Sequence, residues 1–263
     1  MRLLRSVLGE LPAYLWSGWG ALCSLLLLLA AWQLASEHYG SLVLAQPLEA
    51  FAALGRFAED GSLWQELLVT GRRALSGLAL ALLAGSLLGL AAGVSMTASM
   101  MSRPLVTVLM GMPPIAWLVL AMLWFGASDG TPVFTVFVAA FPVVFVGALQ
   151  GTRTLDNQLR EMALAMRLPA RLKLFDLYLP HVFSYLFPAW IAALGMSWKI
   201  VVMAELLATQ DGVGAALAVS RAHLDSAASM AWICAVVVLL LGLEYLFLEP
   251  LKREVERWRE SGA

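Results

Sequence analysis

Six stretches of this chain contain no Asp, Glu, Lys or Arg: 11–36, 74–102, 104–128, 130–152, 177–198 and 226–243. Each is about as long as the roughly 20 residues a helix needs to cross the hydrocarbon core of a bilayer. The chain as a whole is 61% hydrophobic and 13% charged, with a positive mean hydropathy, far from the soluble norm. The pattern predicts an all-α, polytopic membrane protein with about six transmembrane helices, near 19–36, 74–96, 105–125, 131–150, 183–207 and 228–248. Pro113-Pro114 falls inside the third of these and is expected to end or kink a helix there. Residues 1–66 then hold the first span and an outer linker, 67–250 a core membrane domain, and 251–263 a tail.

Basic residues set the orientation. With the N-terminus cytoplasmic, the cytoplasmic segments hold Arg2, Arg5, Arg103, Arg153, Arg160, Arg167, Arg171, Lys173, Lys252, Arg253, Arg257 and Arg259. The outer segments hold Arg56, Arg72, Arg73 and Arg221. Both termini and the loop 150–180 therefore face the cytoplasm. Arg2 and Arg5 ahead of Leu25–Ala31 give the start the look of a signal peptide. The apolar run begins late and lacks a clean small-residue cleavage site, so it reads as a retained first span. The tail from Lys252, with Trp258, reads as an amphipathic helix at the cytoplasmic interface.

Little metal or redox chemistry is written here. Cys23 and Cys234 lie in separate apolar runs without ligand spacing, and His38, His181 and His223 are scattered along the chain, His181 on the other membrane face from the rest. The methionines at 96, 100, 101, 110 and 112 read as ordinary apolar packing. No Gly-x-Ser-x-Gly appears, which argues against an intramembrane hydrolase.

The polar island at 150–180 is the chain's most distinctive segment. Leu155, Leu159, Met162, Ala163 and Met166 recur at helical intervals, and Leu168 before Pro169 marks the end of a short helix. Pro169 opens a second helix with a stripe of Leu172, Phe175 and Leu179, which Pro180 interrupts again. Glu161-Met162-Ala163, the break at 167–169 and Leu179-Pro180 resemble the cytoplasmic signature loop of ABC importer permeases, which runs Glu-Ala-Ala, three residues, Gly, then a hydrophobic-Leu-Pro ending. Met162 replaces the first Ala, and Arg167 stands where Gly is expected, which removes easy access to positive φ. Pro169 is expected to supply the break instead.

The resemblance extends over roughly residues 45–250. Pro104, Met112 to Trp117 and Leu123 to Gly126 are similar to the third-span region of the taurine, alkanesulfonate and nitrate importer permeases. Phe141-Pro142, Gly151, Gly195, Trp198, Ala204-Glu205-Leu206, Gly212-Val213-Gly214 and Gln46 to Phe51 match further segments of that subfamily. The resemblance implies a permease homodimer in a bacterial inner membrane, a pair of cytoplasmic ATPases below it, and an extracytoplasmic solute-binding protein above. It also implies that Glu161, Met162, Ala163, Ala165, Met166, Arg167, Leu168 and Pro169 couple the permease to the ATPase. No Gly-x-x-x-x-Gly-Lys-Ser/Thr loop is present, so ATP and Mg²⁺ are expected on the partner ATPase and no cofactor on this chain.

Within the spans, Lys199 and Glu205, with the neighbouring Trp198, are the candidate residues of a translocation path, because an ionisable group is costly at that depth. Six residues apart, the two charges lie about 240° around a helix and do not meet on one face. Lys199 points towards an anionic solute. Pairing with a carboxylate or carbonyl of a neighbouring span, or snorkelling, is its plainer reading. Gly77, Gly85, Gly89 and Gly93 read as a close-packing face. The alternative to an importer subunit is a self-sufficient secondary transporter or channel; such folds carry internal repeats, and no second copy of the loop is visible here, although Pro113-Pro114 and Pro142 are expected to interrupt helices.

Overall fold

A computed structural model describes residues 23–155, 161–163 and 165–243. Those residues form helices and connections, without a strand among them. The order is α1 (23–39), α2 (Pro47–Glu59), α3 (Ser62–Val94), α4 (Met96–Gly111), α5 (Pro114–Phe125), α6 (Gly130–Arg153), α7 (Ala170–Ala208), α8 (Val213–Ala222) and α9 (Ser226–Leu243). Between α6 and α7 lies the segment 161–169, helical at 161–163 and 165. Among the described residues α3, α6, α7 and α9 are long and apolar enough to span a membrane, and the bent pair α4–α5 counts as a fifth. The expected first span is helical over 23–39; its residues 19–22 lie outside the described part, as do 244–248 of the last and the whole tail from 251.

α6 is the axis of the fold. It buries Val136, Val138, Ala140, Val144, Phe145 and Ala148, and packs chiefly against α3 on one side and α7 on the other. Glycine permits both approaches. A Cβ at Gly77, Gly85, Gly89 or Gly93 of α3 would come within 2.6, 2.8, 2.5 and 2.5 Å of Val133, Val144, Phe145 and Thr152 on α6. The stripe expected from their spacing is therefore the α3–α6 contact. On the other side, a Cβ at Gly147 would meet Ala189 at 2.5 Å, and one at Gly151 would meet Val182 at 3.0 Å. With lipid as apolar as the side chains, such close backbone approach is the main attraction available between spans.

The structure moves several expected boundaries. α3 begins at Ser62, not near 74, so Arg72 and Arg73 lie inside a 33-residue helix. α4 includes Pro104, and at Met112-Pro113 the chain turns by 92° into α5. Pro113 and Pro114 lack amide protons, so the helical ladder cannot cross them. α6, by contrast, runs unbroken through Pro142. α7 likewise passes Pro180 without interruption, as part of a 39-residue helical run. The turn before Pro180 widens instead: Lys173–Tyr178 is a π-helix, and the Leu179 N–H donates to the Leu174 carbonyl five residues back. Widening moves the carbonyls of the preceding turn away from the proline ring, which an α-helical turn would press against the residue four back. Two short outer helices, α2 and α8, were not expected. α2 starts with a capping box between Gln46 and Glu49 and has Pro47 in its first turn.

Gly89→Ala places a methyl group on a backbone carbonyl of α6. It is expected to cost roughly 1–3 kcal/mol by overpacking, read as a lower melting temperature of the detergent-solubilised protein. Gly55→Ala, whose Cβ would meet nothing within 4 Å, is the matched control and should melt like the parent.

Candidate functional site

At one end of the bundle a guanidinium is buried. Arg73 is 2% exposed, and all five of its N–H donors have acceptors. Nε donates to Asp129 Oδ1 at 2.8 Å, and Nη1 to Glu205 Oε1 at 3.0 Å and to the Asp211 carbonyl at 2.8 Å. Nη2 donates to Asp129 Oδ1 and to Asp211 Oδ1. Exposed Arg72 also pairs with Asp129.

Glu205 is fully buried and equally well satisfied. Its Oε2 accepts from Thr70 Oγ1 at 2.8 Å and from the Gly214 N–H at 3.2 Å. Thr70 Oγ1 in turn accepts from the Val213 N–H at 2.9 Å, and Glu66 accepts from the Gly212 N–H. The connection 209–214 is thus wrapped around the Glu205 carboxylate. A Cβ at Gly212, where φ is +95°, would fall 2.4 Å from that carboxylate, and one at Gly214 would fall 2.3 Å from the Val202 carbonyl. Glycine is required at both positions, by conformation at the first and by space at the second.

α3 supplies Glu66, Thr70 and Arg73 at helical spacing, so all three face the same way, and the line continues into Gly77. One face of α3 therefore carries the polar cluster above and the glycine contact below. Glu205 was identified from the sequence as a costly charge. Its partner was missed, because Arg73 sits at the edge of a charge-free run and was assigned to an outer connection. The spacing of 66, 70, 73 and 77 was the available signal.

Lys199 has different surroundings. It lies about 9 Å below Glu205 along α7, is exposed, and has no hydrogen-bond or ion-pair partner among the described residues. Trp198 beside it is buried, in a cluster with Ala74, Val136, Ile200 and Val201. The three candidate path residues are therefore divided: Trp198 and Glu205 point into the subunit, and Lys199 points out of it. Pairing with a neighbouring span, the plainer reading of Lys199, does not occur among the described residues.

On the opposite side of the bundle, the segment 161–169 forms a compact surface. Ala163 is buried and anchors it, while Glu161, Met162, Ala165, Met166, Arg167 and Pro169 are exposed and Leu168 is half-buried. The Leu168 N–H donates to the Ala163 carbonyl at 3.1 Å, and Arg167 takes φ of +49°. This is a Schellman-type helix end with Arg167 in the left-handed position that glycine usually fills. The expectation that Arg167 would avoid positive φ, with Pro169 supplying the break, is corrected: the helix-end hydrogen bond holds the arginine there. Of the apolar stripe expected here, Leu159 falls outside the described residues.

The profile of the family described as "Binding-protein-dependent transport system inner membrane component" matches residues 81–249. That match takes in the segment 161–169, Lys199 and Glu205. The chain belongs to this family. Among characterised relatives it is similar to the taurine transport system permease protein TauC of Escherichia coli K12, 27% identical over 199 residues covering 76% of this chain and 72% of the relative. It is also similar to the putative aliphatic sulfonates transport permease protein SsuC of Bacillus subtilis, 26% identical over 220 residues, 83% and 79% of the two chains. The nitrate import permease protein NrtB of Leptolyngbya laminosa is 29% identical over 161 residues, 61% and 57%. The protein is an ABC importer permease of the taurine, sulfonate and nitrate group, an all-α multi-pass protein of the inner membrane.

The buried cluster makes a stability prediction. Removing one partner of a buried ion pair costs roughly 3–5 kcal/mol, because the other charge is left unpaired. Arg73→Met should therefore lower the melting temperature much more than Arg72→Met, whose side chain is 67% exposed. Hydrogen bonding from Arg73 holds the Asp129 carboxyl below its ordinary value of 3.8. A depressed carboxyl stabilises the fold above its unfolded pKa and loses that contribution as pH falls through the folded value. The Asp129 contribution should accordingly be constant between pH 7 and 5 and disappear only below about pH 4, seen as convergence of wild-type and Asp129→Asn melting curves under acid.

Proposed function

We propose that the chain forms, as a homodimer, the translocation path of an ATP-driven importer for a small anion. A binding protein delivers the solute from outside, and a separate ATPase pair works below. Both termini face the cytoplasm in this reading. The observation that carries the solute class is Lys199. A lone cation within the apolar run of a lipid-facing helix is costly, and Lys199 has no partner to offset that among the described residues. Its face of α7 is therefore the face turned to water, towards the second copy across the path. The solutes named for the relatives point the same way, since taurine, sulfonates and nitrate all carry an anionic group.

Coupling falls to 161–169. Met162 and Met166 are 51% and 65% exposed and adaptable in shape, suited to a groove on the ATPase, with Glu161 as a polar anchor. Arg167 leaves the backbone turn intact and adds a charge at its tip. Trp198 and Glu205 hold α7 in place and set the position of Lys199 without contacting solute.

Two substitutions test the two halves. Lys199→Met should raise the external concentration for half-maximal uptake of taurine, sulfonate or nitrate, whichever the wild type carries, by about tenfold in proteoliposomes holding the assembled transporter. Unchanged uptake would remove Lys199 from the path. Glu161→Lys should leave the protein in the membrane and abolish ATP-dependent uptake together with co-purification of the ATPase. Uptake at the wild-type rate would remove the coupling assignment.

A further inference from the structure

A cavity of about 370 Å³ opens between α2, α3, α8 and α9, beside the outer polar cluster. Its apolar wall is Phe57 and Trp232, whose rings stack at 4.9 Å and 17°. Its polar wall holds Glu66, Asp225, His223 and Gln210, and among the described residues neither lysine nor arginine lines it. Arg221, exposed on the same stretch of chain, is not part of the lining.

Both carboxylates are fixed in place by one backbone hydrogen bond each. Glu66 Oε2 accepts from the Gly212 N–H, and Asp225 Oδ1 accepts from the Ala228 N–H at 2.9 Å, capping α9. The second oxygen of each makes no hydrogen bond among the described residues. Two held carboxylates and a stacked aromatic pair in one concavity, with no cation of their own, make a recognition surface for a cation that brings N–H donors and a flat or aliphatic body. The outer connections around it are acidic as well: 37–66 and 209–225 hold Glu37, Glu49, Glu59, Asp60, Glu66 and Asp225 against Arg56 and Arg221, with Asp211 neutralised by Arg73.

From this charge complementarity we infer that the cavity is a docking socket for a lysine or arginine side chain presented by the solute-delivering protein. The inference rests on the proposed function, which places this face outside and brings a binding protein to it. It adds the sign of the contact: the delivering protein carries the base and the permease the acids. The surrounding negative field also draws a basic partner face towards the socket.

The test uses the permease with its ATPase in nanodiscs and the purified binding protein that co-purifies with them. ATPase rate is followed against binding-protein concentration. The double variant Glu66→Gln with Asp225→Asn keeps an amide oxygen for each backbone N–H and removes both charges. Its half-stimulating concentration should rise about tenfold, and the salt dependence seen with wild type should be reduced. A photo-reactive residue in place of Val219, on the cavity wall and 51% exposed, should cross-link to a binding-protein peptide containing lysine or arginine. Wild-type stimulation unchanged by the double variant, or cross-links only to peptides lacking a base, would overturn the socket. A wild-type transporter that recovers no binding protein and responds to none would overturn the importer reading, and the socket with it.

Discussion

A guanidinium removed from water needs an acceptor for each of its N–H groups, and Arg73 draws its acceptors from three separate places in the chain. Asp129 comes from the corner between α5 and α6, Glu205 from the end of α7, and Asp211 from the connection to α8. None of these segments is near α3 in sequence. Each is tied to α3 by a hydrogen bond from the buried guanidinium, and at Glu205, itself fully buried, loss of that bond strands a charge in a dry site. The outer ends of the helices therefore sit where Arg73 requires them. The turn at 212–214 follows from the same demand, since only glycine lets the backbone close over the Glu205 carboxylate.

Below that cluster the glycine contact between α3 and α6 takes over. The two devices share one face of α3, so the rotation of that helix is determined twice, by hydrogen bonding at the top and by contact distance along its length. α6 is then held between α3 and α7 by small residues on both sides. What stays outside this packed unit is also informative. The bent pair α4–α5 exposes Met100, Met101, Leu105, Val119 and Leu123, and α7 exposes Lys199. These apolar faces and Lys199 are the surfaces that the packed unit leaves uncovered.

Legibility in the sequence followed the range of the interactions. Charge-free runs and glycine spacing report on a residue's own helix, and they located most spans and the α3–α6 face. Contacts between distant segments leave no such periodic trace: Glu205 stood out as a charge in an apolar run, while Arg73, 132 residues away, looked like the flank of a span. Proline was the least dependable guide. Pro113-Pro114 broke its helix because two adjacent donors were missing, whereas Pro142 and Pro180 were absorbed, the latter by a widened turn. Arg167 shows the reverse case, in which a residue with low preference for positive φ accepts it because the helix-end hydrogen bond at Leu168 holds it there.

The continuity of α7 through Pro180 has a mechanical consequence. From Ala170 to Glu205 the backbone is one helical rod, on the order of 50 Å long at 1.5 Å per residue, well beyond the thickness of the hydrocarbon core. Its lower end begins directly after the turn at Arg167, and its upper end is the carboxylate clasped by Arg73. No irregular chain lies between them; the softer joints are the π-turn at 173–178 and Pro188, which removes one rung of the helical ladder. If the 161–169 surface receives a push, as the proposed function has it, this strut would carry it to the Arg73 clasp at the other end of the bundle through a single piece of secondary structure.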